Sequence, residues 1–370
     1  MKINTKKKLI ISSYDDQKNP VYSGGGAYAV RQLAKRLAKK YEITVLTGTY
    51  KNAKNEIIDN AEYIRIGSDI FGHKIGQLIY QYSLLKYAIK EKFDIWIEST
   101  TPPFTFSLLP LFCKKPVISW VNMLCSFDMQ RKYKLNFRYI EQELSKLYKY
   151  IVVPTNWVKK DIFAMNRKSR ILTITQGTDK NSITNLTKKK NDNGNYILFM
   201  GRIEIDQKGL DLLIKALALS ESKTRIIFAG KGSKNEESKL KNLILKYRVK
   251  NKITRIGKIQ GVKKERLLKY AKTIIIPSRF ETFSLIALEA IMHQKPVICF
   301  NIPQLRWIPE KFAIKITPFN YKKMAIAIDK INTSKIFKKI STHEKNIFIK
   351  KYDWDRTAGK FHALISQISL

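Results

Sequence analysis

Short strand-like runs alternate with longer helical patterns in two successive blocks of this chain of 370 residues. In the first block, runs rich in β-branched and aromatic residues, bounded by turn or polar residues, lie at 8–12, 42–48, 63–67, 94–99, 116–121 and 150–155. Between the first two runs, residues 26–41 repeat apolar positions at helical spacing and carry cations in the last turn. The order strand, helix, strand predicts a parallel sheet with crossover helices.

A polar stretch at 181–195, "NSITNLTKKKNDNGN", interrupts the alternation and predicts a linker. The alternation then resumes with strand patterns at 196–201, 225–230, 253–257, 273–278 and 296–300, and with helical patterns at 209–220, 237–250, 263–272 and 284–294. Because single cores stop growing near about 250–300 residues, two domains are expected. We therefore predict two doubly wound α/β units in tandem with a crevice between them, and ligands at the carboxyl ends of the strands.

The composition adds a strong positive charge, because 70 Lys and Arg residues stand against 30 Asp and Glu residues, for a net charge of +40. This charge leaves acidic surfaces, anionic lipids, phosphorylated ligands and nucleic acids open as partners. Cys113, Cys125 and Cys299 lie in or beside apolar stretches without CxxC spacing, which predicts buried thiols in a reducing compartment. The apolar run near the start is too short for a signal peptide, and the run at 104–112 is too short for a membrane span. We therefore expect a cytoplasmic protein that contacts a membrane at most from one side.

Two glycine loops each follow a predicted strand and precede a predicted helix. In "SGGGAYA" (23–29), small residues let an anionic group approach backbone amides at a helix N-terminus. Gly24, Gly26 and Ala29 satisfy G-x-G-x-x-A, but the loop is too far from its strand for a dinucleotide fingerprint, and a flexible loop without a ligand is the alternative. The second loop, "AGKGS" (229–233), is either a binding loop at the same edge or only a turn.

Two cations in "GRIEIDQKG" (201–209) are predicted at the carboxyl edge of the second sheet. Arg202 follows the end of a strand, and Lys208 precedes the start of a helix. A guanidinium that donates in a bidentate manner and a compact ammonium together suit a diphosphate. The alternative is that two nearby cations are accidental in a chain this basic.

The stretch "PSRFETFSLIALEA" (277–290) places Glu281 and Glu289 eight positions apart. Ser278 and Glu281 fit a capping box, with Glu289 as an exposed helix residue. Alternatively, eight residues of α-helix advance about 12 Å and rotate about 80°, which roughly matches the distance from a ribose to a sugar across a diphosphate. In that case the phosphate charge is accepted by helix N-terminal amides near Thr282, Phe283 and Ser284.

Taken together, these segments resemble the retaining, nucleotide-sugar-dependent glycosyltransferases of the GT-B fold, specifically family 4, also called glycosyl transferases group 1. The resemblance covers nearly the whole chain. It is carried by the two glycine loops, by 201–209, by the E-x7-E signature within 277–298, and by segments similar to the domain exit and the final helix at 174–179 and 352–361.

The resemblance implies two Rossmann-like domains facing an interdomain cleft. Residues 1–180 are then the acceptor-binding domain, 181–350 the donor-binding domain, and 351–370 a C-terminal helix that crosses back to the N-terminal domain. It implies transfer of a sugar, with retention of configuration, from a UDP- or GDP-sugar to a glycan or a lipid-linked acceptor in glycan biosynthesis.

By the same resemblance, Arg202 and Lys208 hold the donor diphosphate, Glu281 the hydroxyls of the donor sugar, and Glu289 the nucleotide ribose. The remaining donor-binding candidates are backbone or loop positions, namely Gly24, Gly25 and Gly26 from the opposite domain, with Gly230, Gly232, Thr282, Phe283 and Ser284. Neither a metal nor another cofactor is expected, because cations and helix amides supply the positive charge that a metal would provide.

Several positions depart from the family pattern, among them a missing glycine in "MHQKP" after Glu289. Thr282 and Ser284 stand where the family usually has glycine, and Asn122 stands where many members have a histidine after the strand at 116–121. Asn122 is counted with Glu281, Arg202 and Lys208 as a catalytic candidate, since an asparagine amide orients a sugar hydroxyl although it cannot shuttle a proton. A catalytically inactive homologue that binds a nucleotide sugar is therefore an alternative.

The acceptor side of the sequence offers two interpretations of residues 73–92. An apolar stripe surrounded by lysines is formed there by Ile75, Leu78, Ile79, Tyr82, Leu85 and Ile89. Such a helix either lies on the anionic inner face of a membrane, near a lipid-linked acceptor, or packs on the sheet of its own domain. A nucleic-acid-binding protein is the rival suggested by charge alone, but the lysines are spread along the chain without a recognisable reading module, so we expect no nucleic acid partner.

Overall fold

The computed structural model describes residues 6–70, 72–101, 103–126, 129–130, 134, 136–178, 194–333 and 340–368. The chain divides into two compact units, one formed by Met1–Gly177 with Trp354–Leu370 and the other by Thr178–Asp353. The boundaries predicted from the sequence lie at 180 and 350. Residues 181–193 of the predicted linker lie outside the described residues.

An eight-stranded sheet forms the centre of the first unit. Its strands are β1 (Lys8–Ser13), β2 (Glu42–Gly48), β3 (Glu56–Ile58), β4 (Ala61–Ile66), β5 (Ile95–Ser99), β6 (Val117–Trp120), β7 (Tyr150–Val153) and β8 (Arg170–Thr173). They lie in the order β3-β4-β2-β1-β5-β6-β7-β8, and all neighbours are parallel except β3 and β4. The order reverses between β1 and β5, which is where an α/β sheet opens a crevice at its carboxyl edge.

Helices cover both faces of this sheet. They are α1 (Gly25–Leu37), α2 (His73–Lys90), α3 (Leu109–Phe112), α4 (Phe137–Ser145) and α5 (Asn156–Met165). Leu9 and Ile11 share a hydrophobic cluster with α1, whereas Ile10 between them shares another with α2, α3 and α5. Because successive strand residues point to opposite faces, α1 lies on one face of the sheet and α2, α3 and α5 lie on the other.

The second unit contains an entirely parallel six-stranded sheet. Its strands are β9 (Tyr196–Met200), β10 (Arg225–Ala229), β11 (Ile253–Gly257), β12 (Thr273–Ile276), β13 (Val297–Phe300) and β14 (Ala313–Ile316), and its helices are α6 (Leu210–Leu219), α7 (Lys234–Lys246), α8 (Gly261–Tyr270), α9 (Leu285–Met292), α10 (Tyr321–Asp329) and α11 (Thr342–Lys351). The order is β11-β10-β9-β12-β13-β14, so the strand order reverses between β9 and β12. The prediction of two doubly wound α/β units is confirmed.

The last helix, α12 (Trp354–Ile368), belongs to the first unit. Its side chains Trp354 and Phe361 are fully buried in the cluster that α1 forms with the sheet. Polar contacts hold its outer side, since the Arg36 guanidinium lies 2.6 Å from Asp355 and the Tyr41 hydroxyl lies 2.6 Å from Nδ1 of His362. The chain therefore enters the second unit and then returns to complete the core of the first.

Helix α2 packs on its sheet with the face opposite to the predicted apolar stripe. Tyr80 and Leu84 are buried, whereas Ile75, Leu78 and Tyr82 of the stripe are exposed. The interpretation that this stripe packs on its own sheet is therefore wrong for these three residues and for Ile89, although Leu85 of the stripe packs against the core of the unit. No helix in the described part of the chain is both long and apolar enough to span a bilayer.

The three cysteines are free thiols. Cys125 and Cys299 are buried and Cys113 is half-buried. Burial raises the pKa of Cys113 and of Cys299 to about 12, so both thiols are held in the neutral form. These positions behave as small apolar groups.

Glu98, at the carboxyl end of β5, is a buried carboxyl group. The Tyr148 hydroxyl donates a hydrogen bond to it. Burial raises the pKa of Glu98 to about 7, although hydrogen bonds from Tyr148 and Ser107 act in the opposite direction. The folded chain therefore holds a proton here at a pH where an unfolded carboxyl group is ionised.

We expect Glu98→Gln to change the pH dependence of stability. Because the folded pKa lies above the unfolded value, the folded state binds more protons between the two, and the wild type loses stability as pH rises towards 7. Glutamine removes this loss, so the variant should gain on the order of 1–3 kcal/mol relative to the wild type between pH 5 and pH 8. Urea unfolding at both pH values measures the difference, with exposed Glu91→Gln as the control. A pH-independent difference would contradict the assignment.

Phe361→Ala should strongly destabilise the first unit. The ring is fully buried and meets the ring of Trp120 edge-on at 5.3 Å between centroids. Truncating such a side chain costs about 3–5 kcal/mol of unfolding free energy, measured by urea denaturation. The neighbouring exposed Lys360→Ala should change it by less than about 0.5 kcal/mol. Equal unfolding midpoints for the two variants would show that α12 is not part of the cooperative core.

Candidate functional site

Three loops meet at the carboxyl edge of the second sheet. They follow β9, β10 and β12 and comprise residues 201–209, 230–233 and 277–284. Because β9 pairs with both β10 and β12, the loop 201–209 lies between the other two. This edge contains the point where the strand order reverses, which is the usual ligand site of such a sheet.

The loops after β9 and β12 are bound tightly to each other. The Arg279 guanidinium makes two hydrogen bonds to the Asp211 carboxylate, at 2.6 and 2.7 Å, and its backbone N–H donates to the Gln207 carbonyl oxygen at 2.9 Å. Gly209 has φ +61°, and a side chain there would approach the carbonyl oxygen of Pro277 to 1.9 Å. Glycine is required at this position because of both the left-handed backbone and the close approach.

This arrangement brings Lys208 and Glu281 together. The Lys208 ammonium lies 2.7 Å from Oε1 of Glu281, and the Ser278 hydroxyl donates to the same oxygen at 2.7 Å. The side chains of Lys208 and Glu281 are only 18% and 9% exposed. An ammonium group has three donors, so Lys208 can contact Glu281 and an anion together. Lys208 and Glu281, both predicted at this edge, thus lie in direct contact there, whereas the predicted convergence of Lys208 with Arg202 stays a prediction.

Arg202 lies at the surface of the same loop. Its side chain is 61% exposed, its guanidinium lies 3.8 Å from the Glu204 carboxylate, and it is 3.5 Å from the amide oxygen of Gln207. An exposed ion pair of this length contributes little to stability. The guanidinium can therefore turn towards a ligand at small energetic cost.

Glu289 lies inside α9 and is paired with a lysine. The Lys264 ammonium, from α8, lies 2.5 Å from Oε1 of Glu289. Because α9 begins at Leu285, residues 281–284 are not helical. The prediction that Glu281 and Glu289 are separated by eight helical residues is therefore wrong, and so is the capping-box interpretation, since Ser278 contacts Glu281 ahead of the helix.

The residues before α9 have different environments. Phe283 is buried and stacks on Trp307 with 4.5 Å between ring centroids, so its side chain belongs to the core. Thr282 is half-buried. Ser284 has φ +68°, and its buried hydroxyl has no hydrogen-bond partner in the described structure. A left-handed conformation favours glycine. This is a physical reason why the family that the sequence resembles usually has glycine at this position.

Gly230 and Gly232 have a structural reason to be glycine. A side chain at Gly230 would lie 1.8 Å from the carbonyl oxygen of Gly201, and one at Gly232 would lie 2.4 Å from that of Ile203. These glycines let the loops after β9 and β10 pack backbone to backbone. Their predicted contact with a donor remains a prediction.

The remaining candidates lie in the first unit. Gly24 precedes α1, and Gly25 and Gly26 form its first residues, so the amides of the glycine loop lie at a helix N-terminus. The Asn122 side chain donates to the Ser99 hydroxyl at 2.7 Å and accepts from the Gln176 amide at 2.9 Å. Its amide orientation is thus fixed by two polar partners.

The sequence did not identify Lys264, Arg279 or Asp211 as part of the site, and it gave Ser278 the role of a helix cap. Lys264 carries no local signal, because it meets Glu289 only through the packing of α8 beside α9. Arg279 and Asp211 are 68 positions apart and also pair through topology. Ser278 was detectable as part of a serine–glutamate pair, but its role is to hold the Glu281 carboxylate.

Two family models match consecutive parts of the chain. The model described as Glycosyltransferase Family 4 matches residues 23–182, and the model described as Glycosyl transferases group 1 matches residues 185–346. Two relatives are uncharacterised glycosyltransferases of Methanocaldococcus jannaschii. One is 26% identical over 94% of this chain and 96% of its own length, and the other is 30% identical over 45% of this chain and 43% of its own length.

Solved structures share the whole fold at low sequence identity. Sucrose-phosphate synthase from Thermosynechococcus elongatus superposes with a TM-score of 0.83 at 17% identity, covering 98% of this chain and 99% of that one. Anabaena HepE in complex with UDP-glucose superposes with a TM-score of 0.75 at 14% identity, covering 98% and 100%. At these identities the likeness concerns the fold.

Ser284→Gly should stabilise the second unit. Glycine adopts φ +68° at lower cost than serine, and the substitution removes a buried hydroxyl without a partner. We expect a gain on the order of 1 kcal/mol, or about 2–4 °C in melting temperature. Ser284→Ala is the matched control, because it removes the hydroxyl but keeps the strained backbone, and its gain should be smaller. A glycine variant that melts below the wild type would contradict the account.

Proposed function

The chain belongs to the glycosyltransferases of the GT-B fold, and we propose that it moves a sugar from a UDP- or GDP-sugar to a glycan or a lipid-linked acceptor, with retention of configuration. The observation that carries the proposal is the cluster of Lys208, Glu281 and Ser278 at the point where the strand order of the second sheet reverses. It combines a cation for a phosphate with a carboxylate for sugar hydroxyls, next to the start of a helix. The UDP-glucose held by the structural neighbour HepE supports the same class of donor.

In this proposal the charge of the leaving diphosphate is stabilised by three sources. Lys208 binds a phosphate oxygen from its position on Glu281, Arg202 turns in from the rim, and the N-terminal amides of α9 point at the same charge. The bond between the anomeric carbon and the phosphate oxygen breaks as the acceptor oxygen bonds to that carbon. The acceptor proton passes to the departing phosphate oxygen.

The two glutamates hold the two ends of the donor. Glu281 uses Oε1 for both Lys208 and Ser278, and its carboxylate is proposed to accept hydrogen bonds from the sugar hydroxyls. Glu289 is proposed to accept hydrogen bonds from the ribose hydroxyls. Its carboxylate would then contact both the ribose and the Lys264 ammonium. Lys264 then lies beside the nucleoside and is an additional donor-site candidate.

The first unit is proposed to act through amides. The glycine loop at Gly24, Gly25 and Gly26 offers backbone N–H groups to the donor phosphate. Asn122 orients a hydroxyl, because its amide is held by Ser99 and Gln176 and cannot accept and release a proton. No protein base is therefore proposed at Asn122. The departing phosphate oxygen takes the acceptor proton, and the amides only bind and orient the substrates.

Transfer is expected to need no metal ion or other cofactor, because Lys208, Arg202 and helix amides supply the positive charge. Activity measured after EDTA treatment should equal that of untreated protein. If addition of Mg²⁺ or Mn²⁺ restored a lost activity, this part of the proposal would be wrong.

Thermal-shift measurements with UDP, GDP and ADP, each beside its nucleoside, test the donor site. One nucleoside diphosphate should raise the melting temperature of the wild type more than its nucleoside does. Lys208→Ala should weaken binding of that diphosphate on the order of 10–100-fold, because a charge-assisted hydrogen bond is lost, and leave the nucleoside unaffected. Glu289→Ala should instead weaken both, because it contacts ribose.

Lys241→Ala, an exposed lysine on α7, is the matched control and should respond like the wild type. The donor-site assignment fails if no nucleotide stabilises the wild type, or if Lys208→Ala keeps the full difference between diphosphate and nucleoside. Proton NMR of the transferred sugar then reports the anomeric configuration. Binding without any hydrolysis or transfer of the donor would favour the inactive homologue.

A further inference from the structure

Helix α2 is apolar on two opposite faces. One face is buried on the sheet through Tyr80, Leu84 and Ala88. The other carries a stripe in which large apolar side chains remain in solvent at Ile75, Leu78, Tyr82 and Ile89. A surface helix that needs only its own sheet as partner has one apolar face and one polar face. The second face of α2 is therefore built for a second apolar medium.

The short helix α3 also has exposed apolar side chains. It contacts α2, and its neighbourhood exposes Leu108, Leu111 and Phe112. Ile89 and Leu111 are 68% and 64% exposed. We call the stripe of α2 and these three residues of the α3 segment the apolar face. These exposed side chains lie on two helices that contact each other, and groups of exposed apolar residues mark interaction surfaces where single ones do not.

Lysines lie within the apolar face and at the C-terminal ends of its two helices. The Lys86 ammonium lies 4.7 Å from the centre of the Tyr82 ring, within the stripe itself. Lys90 and Lys92 are exposed at the end of α2, and Lys114 and Lys115 are exposed just after α3. Two acidic residues, Glu91 and Asp94, lie beside these five lysines, so the surroundings have a net positive charge.

The opposite side of the same unit provides an internal comparison. Helices α1 and α12 and the turn after α1 are also basic, with exposed Lys35, Lys39, Lys40 and Lys360. All residues of these two helices are described, and among them no large apolar side chain is exposed. Positive charge is thus common to both sides, whereas exposed apolar groups are concentrated on the side of α2 and α3.

We propose that the apolar face docks on an anionic lipid bilayer, with α2 in the plane of the interface. A protein partner is disfavoured, because the centres of protein interfaces are depleted in lysine, whereas apolar residues mixed with and ringed by lysine are typical of interfacial membrane helices. Each nearby lysine is attracted to anionic head groups, and the apolar side chains enter the acyl boundary. The proposal specifies the membrane contact of the proposed function but does not depend on the donor site, because all its residues lie in the first unit.

Co-sedimentation of the full chain with vesicles tests this surface. The vesicles are phosphatidylcholine alone, and phosphatidylcholine with an equal amount of phosphatidylglycerol. The wild type should sediment with the mixed vesicles. Leu78→Ser combined with Ile89→Ser should lower its partition on the order of tenfold or more, although the net charge is unchanged.

The matched apolar control is Leu245→Ser combined with Ile326→Ser, which removes two exposed apolar side chains from the second unit. Two double variants with the same change in net charge are also compared. One combines Lys90→Glu and Lys92→Glu near the apolar face, and the other combines Lys39→Glu and Lys40→Glu on the opposite side of the unit. Loss of binding should be confined to the variants at α2. The proposal is overturned if the wild type does not bind mixed vesicles. It is also overturned if the Leu78→Ser, Ile89→Ser variant binds as well as the wild type, because binding would then depend on net charge alone.

Nucleotide-induced thermal shifts of the Leu78→Ser, Ile89→Ser variant separate the two proposals. We expect these shifts to equal those of the wild type, since the substitutions leave the second unit unchanged. If the wild type binds vesicles through α2 but is stabilised by no nucleotide, the docking proposal stands and the donor-site proposal fails. If a nucleotide stabilises the wild type but the protein does not bind vesicles through α2, the donor-site proposal stands and the docking proposal fails.

Discussion

The candidate site depends on the close packing of two loops that follow the neighbouring strands β9 and β12. Lys208 and Glu281 are 73 positions apart, and they meet only because these strands are adjacent where the strand order of the sheet reverses. Gly209 allows the backbone of one loop to contact the carbonyl oxygen of Pro277 in the other, and Arg279 holds both through Asp211 and the Gln207 backbone. A side chain at Gly209 would separate the loops and with them the ammonium and the carboxylate.

The fold was predictable because its signals are periodic and repeated. Buried parallel strands such as β12 read as continuous β-branched runs, and their helices carry one apolar stripe. The three-residue strand β3 escaped prediction, since it is short and half exposed at the sheet edge. The helical pattern at 284–294 placed the start of α9 within one residue of Leu285, but the capping-box interpretation was wrong, because the pattern Ser-x-x-Glu is the same whether it caps a helix or pairs two side chains.

The site was predictable to the level of which loops contribute, and less so to the level of contacts. Residues at strand ends share one edge in any parallel sheet, which is why Lys208 and Glu281 were identified together. Whether a side chain turns inward depends on packing that no local pattern encodes. Arg202 stays at the surface, Phe283 enters the core against Trp307, and Lys264 reaches Glu289 from a neighbouring helix.

For helix α2, too, the sequence did not determine which side chains are buried, and the exposed ones bear on function. Apolar residues on both faces leave the sequence unable to say which face the sheet covers, and the stripe with the more regular spacing is the one left exposed. Keeping several large apolar groups in water has a free-energy cost that packing within the unit does not relieve. The lysines around them are compatible with a medium that is apolar inside and anionic at its surface. An enzyme whose acceptor is attached to lipid gains from such a surface, because docking confines the acceptor search to two dimensions.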